Sequence, residues 1–278
     1  MRQRWISPLL WALAALLTIG LAAFQRMTGP SYPVRGEVEL AGHTVPYSLP
    51  RSHGGPGGLE VILRPPAPEA RTSLRWRRFP SQDEWQELAL VANGDQLHAV
   101  LPHQPPAGKV EYAIELELGG ERAVLPVRGT VVARFRGPVP AAVLIPHILA
   151  MFLSMLVSTR ALLEVVHAPR REGRILVVVA MGLLIAGGFV LGPVVQKLAF
   201  GALWTGWPRG TDLTDNKTLI ACLAWLPATL LALTRRPTRW AVMVGWTVMM
   251  AAFLIPHSLH GSQIDWDRRA ETVAGAPP

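Results

Sequence analysis

Five stretches of this chain, residues 5–24, 141–163, 175–195, 218–233 and 240–256, are almost purely apolar. Each is about 16–23 residues long, near the ~20 that a helix rising 1.5 Å per residue needs to cross the hydrocarbon of a bilayer. Apolar blocks of that length, rather than an amphipathic stripe, mark helices whose whole circumference avoids water. The expected class is therefore a membrane α-helical protein with five transmembrane helices. The segment between the first two blocks has a different texture, with short alternating runs separated by Gly, Pro and Asn, and reads as an inserted all-β sandwich of the immunoglobulin or fibronectin-III kind.

The expected boundaries are a transmembrane anchor over 1–26, an exported β-sandwich over 27–138, a four-helix transmembrane unit over 139–258 and an exported tail over 259–278. Within the four-helix unit the spans are 139–164, 174–196, 217–234 and 239–257. The first block has a small-x-small site at Gly20-Leu21-Ala22, but its apolar core exceeds the 7–15 residues usual in a cleaved signal, so it reads as a retained signal anchor. In the β segment the expected strands are 34–40, 59–63, 73–77, 87–91, 96–101, 110–116 and 123–134. Asn93-Gly94 and Gly119-Gly120 are placed as hairpin turns, and Tyr112 stands where such modules often carry a corner tyrosine.

The net charge of +8 does not point to nucleic acid, because the basic residues flank the apolar blocks. Arg2 and Arg4 precede the first; Arg160, Arg170, Arg171 and Arg174 lie around the join of the second and third; Arg235, Arg236 and Arg239 separate the fourth from the fifth. Basic residues collect on the cytoplasmic side of a membrane. That rule puts the N-terminus in the cytoplasm and the β segment, the 196–217 loop and the C-terminus in the periplasm. The implied partners are the lipid bilayer and another membrane or periplasmic protein.

The tetrapeptide Leu-Ile-Pro-His occurs twice, ending at His147 and at His257, and on this topology both histidines belong to the outer face. The 196–217 loop and the tail bring further polar residues to the same level. Three arrangements follow. In the first, Trp204, Trp207 and Trp266 form an interfacial aromatic belt, Thr214 or Asp215 caps the fourth span, Lys197 or Lys217 pairs with Asp212, and the histidines bond between helices. In the second, His147, His257 and His260, with Asp212, Asp215 or Asp265 as an oxygen donor, hold a transition metal. In the third, His147 and His257 are the axial ligands of one non-covalent haem. The outer-face loop itself is represented by Trp204, Trp207, Asp212, Asp215, Asn216 and Lys217, with 197–207 expected to lie along the headgroups.

Within the spans, Ser154, Ser158, Thr159, Thr229 and Thr247 can bond to carbonyls of their own helices, and Arg160 and Glu164 form an i, i+4 pair. So few ionisable groups at depth argue against a pump or carrier. Gly188 and Gly192 form a small-xxx-small step that lets helix backbones approach, and Pro227 should kink the fourth span. Cys222, the single cysteine, excludes a disulfide framework. His43, His53, His98 and His103 have no metal-ligand spacing. No phosphate loop or nucleophile elbow is present, so a binding or assembly role is expected rather than an enzyme, with a metal- or haem-dependent redox or hydrolytic protein as the alternative and a channel or carrier behind it.

The run Trp204-Thr-Gly-Trp-Pro-Arg-Gly-Thr-Asp-Leu-Thr-Asp-Asn-Lys217 and the Ile255-Pro-His-Ser258 helix end resemble those of uncharacterised bacterial inner-membrane proteins in which a WTGxPxGxDLTDNK loop and an IPHS span end recur. The likeness covers roughly the C-terminal half. It implies a bacterial inner-membrane location and no particular activity.

Overall fold

A computed structural model describes residues 2–167, 173–256 and 263–267. The chain separates into two units, one of Met1–Gly29, Val139–Leu198 and Ala202–Gly261, the other of Pro30–Pro138, Ala199–Gly201 and Ser262–Pro278.

The first unit is helical. Its elements are α1 (Arg2–Thr28), α2 (Ala141–His167), α3 (Arg174–Ile185), a π-helical segment (Ala186–Leu191) leading directly into α4 (Gly192–Phe200), α5 (Leu213–Leu233) and α6 (Arg239–Leu254). Among the described residues, four helices are long and apolar enough to cross a membrane: Ser7–Thr28, Ala141–His167, Arg174–Phe200 and Leu213–Leu233. Large apolar side chains such as Ile175, Ile220, Leu230 and Val244 point outward from the bundle, as insertion into lipid requires.

Between the helices the contacts are small and polar. Ala161, Ala180, Ala221 and Ala228 are fully buried, and at Gly245 an added Cβ would stand 2.7 Å from the carbonyl oxygen of Ala224, so α5 and α6 touch at the backbone. The Trp225 indole N–H donates to the Val177 carbonyl at 3.0 Å and that of Trp246 to Thr159 Oγ1 at 3.0 Å. Gln25 donates to the Phe253 carbonyl at 2.7 Å, joining α1 to α6. Ser158, Thr159, Thr229 and Thr247 bond to carbonyls of their own helices as expected, whereas Ser154 reaches across to Ala180 on α3 at 2.9 Å. The pair of Arg160 and Glu164 closes at 2.6 Å, with the Arg160 guanidinium 5.6 Å from the Trp11 ring centre. Helix α5 continues through Pro227.

The second unit contains eleven strands: β1 (Val34–Leu40), β2 (His43–Leu49), β3 (Ser52–Gly54), β4 (Leu59–Leu63), β5 (Arg71–Arg78), β6 (Gln86–Ala89), β7 (Val91–Asn93), β8 (Gln96–Leu101), β9 (Lys109–Leu118), β10 (Glu121–Leu125) and β11 (Val131–Arg136). They form a β1-β2 ribbon, a six-stranded sheet in the order β3-β11-β9-β5-β6 with β10 also on β9, and a three-stranded sheet β4-β8-β7. The core is built from Leu40, Val45, Leu49, Val61, Leu74, Leu101, Ile114, Leu116 and Phe135, all nearly or fully buried. Strand β9 is its axis: β5 runs along one side over Arg71–Arg78, and β10 and β11 share the other.

These findings correct the expected class. A five-span helical protein with one inserted immunoglobulin-like sandwich is replaced by a mixed chain: eleven strands in three sheets make a large β unit, and α2–α6 form a C-terminal helical region after it. Among the described residues only four helices reach spanning length, because α6 has 16 residues, about 24 Å of helix against ~30 Å of hydrocarbon. The expected run 87–91 is two strands, β6 and β7, and 123–134 is likewise split into β10 and β11. Strands β2 and β3 were not anticipated: Pro46 interrupts the alternation of β2, which a two-stranded ribbon tolerates, and β3 has only three residues. The turns at Asn93-Gly94 and Gly119-Gly120 are present, with Gly94, Gly119 and Gly120 at positive φ. Tyr112 lies inside β9 and donates its hydroxyl to the Pro50 carbonyl at 2.8 Å, 62 residues away in sequence, so it is a long-range tie rather than a local corner.

Two groups on β9 titrate unusually. Burial, assisted by the nearby Arg134 charge, pushes the Lys109 ammonium down to about 8, and burial raises the Tyr112 phenol. Between about pH 8 and 10.5 the unfolded chain holds a Lys109 proton that the folded chain has lost, so folding is increasingly favoured as pH rises through that window. Above about pH 10 the unfolded tyrosine ionises while the folded one does not, and the trend reverses. The thermal midpoint of the strand signal in infrared spectra should therefore rise from pH 8 to about 9.5 and fall beyond about 10, and Lys109→Met should remove the rise.

Candidate functional site

The α4–α5 connection is shaped by carboxylates that the chain buries. Asp212 is the N-cap of α5: its Oδ1 accepts from the Thr214 amide at 2.8 Å, satisfying one of the donors a helix start leaves open. Its Oδ2 accepts from Thr205 Oγ1 at 3.2 Å. Asp215, one turn on and 6% exposed, faces back into the loop. Its Oδ2 accepts from the Thr205 amide at 2.6 Å, the Gly206 amide at 3.0 Å and Gln196 Nε2 at 3.0 Å. Asn216 Oδ1 accepts from the Trp207 amide at 2.7 Å. Gly206 must be glycine here, since a Cβ would stand 2.5 Å from that of Asp215.

Three successive loop amides are thus held by two neighbouring side chains of α5. Trp204 is fixed as well, its ring stacked on Phe189 at 5.8 Å between centres and its indole N–H donating to the Trp207 carbonyl at 3.0 Å. Trp207 itself is left 68% exposed and Leu203 49% exposed. Lys217, 1% exposed, extends from α5 and donates to the Ile255 carbonyl at the end of α6 at 2.5 Å.

His147 stands in α2 beside the π-helical segment. Its Nδ1 lies 2.9 Å from the Gly187 carbonyl; a carbonyl only accepts, so Nδ1 carries the proton and Nε2 keeps its lone pair. The Gly187 oxygen also accepts from the Gly192 amide, the wide-turn bond of a π-helix. The expected Gly188 and Gly192 step does not form one seam. A Cβ at Gly188 would stand 2.6 Å from Thr218 Cγ2 on α5, whereas one at Gly192 would be 3.6 Å from His147 Cε1 on α2. The π-helical turn changes the phase between them, so the two glycines serve different neighbours inside the same bundle.

Of the loop residues singled out in the sequence, the structure brings Trp204, Trp207, Asp212, Asp215 and Asn216 together, with Lys217 the next residue of α5. The cap of α5 is Asp212, not Thr214 or Asp215, and 197–200 continue α4. Asp265 belongs to the β unit, and Trp266 is buried there, so it is no part of an exposed aromatic belt. His257 and His260 lie outside the described residues, and the proposed pairing of His147 with His257 lies there too. Among the described residues no group of three or more His, Cys, Asp or Glu is placed to hold a metal ion. Gln196 and Thr205 were missed, and a polar residue at the end of an apolar run was the available signal for Gln196. In the β unit, His53 and His103 close on Phe135 at 5.5 and 5.8 Å between ring centres, and His98 pairs with Glu60 at 2.8 Å.

No protein-family model, curated protein or solved structure compared with this chain gives a match.

Asp215→Ala removes the acceptor of two loop amides and an amide side chain, and should lower stability by roughly 2–4 kcal/mol. Asp215→Asn, which keeps one acceptor oxygen, should cost less. Thermal unfolding in detergent measures the loss, and new protease cleavage between Ala202 and Asp212 would show that the loop has come free.

Proposed function

We propose that the chain is an integral inner-membrane accessory or assembly protein that binds a partner at the periplasmic face. The observation that carries this reading is the pinned loop: the Asp215 carboxylate holds the Thr205 and Gly206 amides while Trp207 and Leu203 remain exposed. A large aromatic side chain on a rigid backbone loses little freedom on docking, and tryptophan is the residue most enriched at binding hot spots. The buried polar groups, by contrast, are committed to the loop and helix ends, which favours recognition over catalysis.

The orientation follows from charge. With α1, α2, α3–α4 and α5 crossing, Arg2 and Arg4, the 168–173 connection with its flanking arginines, and Arg235, Arg236 and Arg239 fall on one side, which the positive-inside rule makes cytoplasmic. The β unit and the 201–212 loop then face the periplasm. The tail residues 263–267 are part of the β unit, so this orientation requires the chain to return across the bilayer after α5.

A cysteine at Trp207→Cys should react with a membrane-impermeant maleimide added from the periplasmic side, and gentle extraction from native membranes should yield a complex heavier than the chain alone. Trp207→Ala should reduce the co-purified partner at least about tenfold without changing the unfolding temperature. Labelling only after the membrane is opened, or a lone chain in both preparations with Trp207 touching lipid alone, would sink the reading.

A second reading, a metal- or haem-bearing redox or hydrolytic membrane protein, is favoured by one observation: Nδ1 of His147 donates to Gly187, the arrangement in which a second hydrogen bond orients a ligating imidazole. It predicts a Soret band or stoichiometric iron, copper or zinc in the purified protein, lost in His147→Ala. Metal-free, colourless protein that stays so after reconstitution would eliminate it.

A further inference from the structure

Within the β unit, residues 263–267 make a set of contacts with β5 and β9 and their connections. Trp266 is only 6% exposed. The Arg78 guanidinium stands 4.9 Å from the centre of the Trp266 ring, a distance at which a cation is attracted to an aromatic face. Arg78 is itself held by Asp83, through Nε at 2.5 Å and Nη2 at 2.8 Å. Those bonds raise the guanidinium's pKa and lower that of the carboxyl, so both remain ionised. The floor beneath the indole is Gly108, where a Cβ would stand 3.3 Å from Trp266 Cζ2 and closer still to Pro105 and Gln104.

Polar contacts flank the ring on both sides. The Gln82 amide donates to Asp267 Oδ1 at 3.3 Å, and Lys109 Nζ donates to Gln263 Oε1 at 2.7 Å. Aromatic ring, following carboxylate and preceding amide are therefore each met by a separate group, contributed by β5, the β5–β6 connection and the β8–β9 connection with the start of β9. That division of labour is how domains read short peptides: one pocketed anchor and a few polar contacts in register.

We propose that this is a peptide-binding slot for a segment carrying tryptophan followed by an acidic residue, and that the chain's own tail is its resident ligand. The tail belongs to the same chain, and an intramolecular ligand acts at an effective concentration of about millimolar. A weak intrinsic affinity then suffices to keep the slot filled, and a segment of the same chemistry in trans gains access only by displacing the tail. The slot is a clasp that opens by competition.

The test uses a fluorescent peptide of residues 261–270 and, in detergent, the native chain, a chain ending at Gly261 and Trp266→Ala, with the truncated chain carrying Arg78→Ala as a fourth protein. The truncated chain and Trp266→Ala should bind the peptide, and the native chain should bind it at least about tenfold more weakly because the tail competes. A peptide carrying Trp266→Ala should lose at least about tenfold in affinity for the truncated chain, as should the native peptide for the truncated chain carrying Arg78→Ala. Folded truncated and Trp266→Ala chains that both ignore the peptide would overturn the proposal. So would equal binding by the native, truncated and Trp266→Ala chains, or collapse of the β unit in the latter two, which would make Trp266 part of the core and not a ligand. Trp266→Ala is a single side-chain change, so it decides the matter if the truncated chain alone fails to fold.

Discussion

A chain placed in lipid must satisfy its buried polar groups from within, and at the α4–α5 connection that requirement is met by one carboxylate oxygen. Asp215 Oδ2 gathers the amides of Thr205 and Gly206 and the side chain of Gln196. The loop leaves α4, turns and starts α5 with nowhere else to send those donors, and a carboxylate near a helix N-terminus gains from the aligned peptide dipoles as well. Asp212 completes the helix start, Asn216 takes the next amide, and Lys217 crosses to the Ile255 carbonyl at the end of α6. Asp212 and Asp215, which the sequence also offered as oxygen donors to a metal, accept backbone amides here.

The rest of the helical unit follows the same economy of polar groups. Without a hydrophobic driving force between helices in lipid, association depends on close approach and on shared hydrogen bonds. Gly187, Gly188 and Gly245 admit backbones and side chains at distances that any larger residue would block. Trp225, Trp246, Ser154 and Gln25 each reach a neighbouring helix. The π-helical segment adds a carbonyl at Gly187 that serves both its own helix and His147, tying α2 to the point where α3 passes into α4.

The β unit is organised differently, around one long strand. β9 joins β5 to β10 and β11 and carries Glu111, Tyr112 and Lys109 into buried or half-buried positions. Each has a dedicated partner: Arg77 and Thr130 for Glu111, the Pro50 carbonyl for Tyr112, and Gln263 of the tail for Lys109. Arg77 and Arg75 also lie over Trp85, so basic side chains of β5 cover aromatic surface on the unit while Arg78 covers Trp266.

The apolar blocks, the strand segment and the glycine hairpins were legible because each depends on local chemistry: hydrocarbon thickness sets block length, and alternation and turn residues act over a few positions. Membership of the loop cluster was legible in part, since Trp204, Trp207, Asp212, Asp215 and Asn216 are close in sequence and cannot scatter far. Their roles were not, because a carboxylate reads the same whether it meets a metal or two amides. Strand β2 was hidden by Pro46, the short strands by their length, and the placement of Trp266 by the long interval between it and Arg78. By itself, the sequence determined which segments avoid water and where the backbone must turn. Tertiary structure alone decided which donor each buried acceptor meets, because those partners are set by packing, whether ten residues apart as for Thr205 and Asp215 or 228 apart as for Gln25 and Phe253.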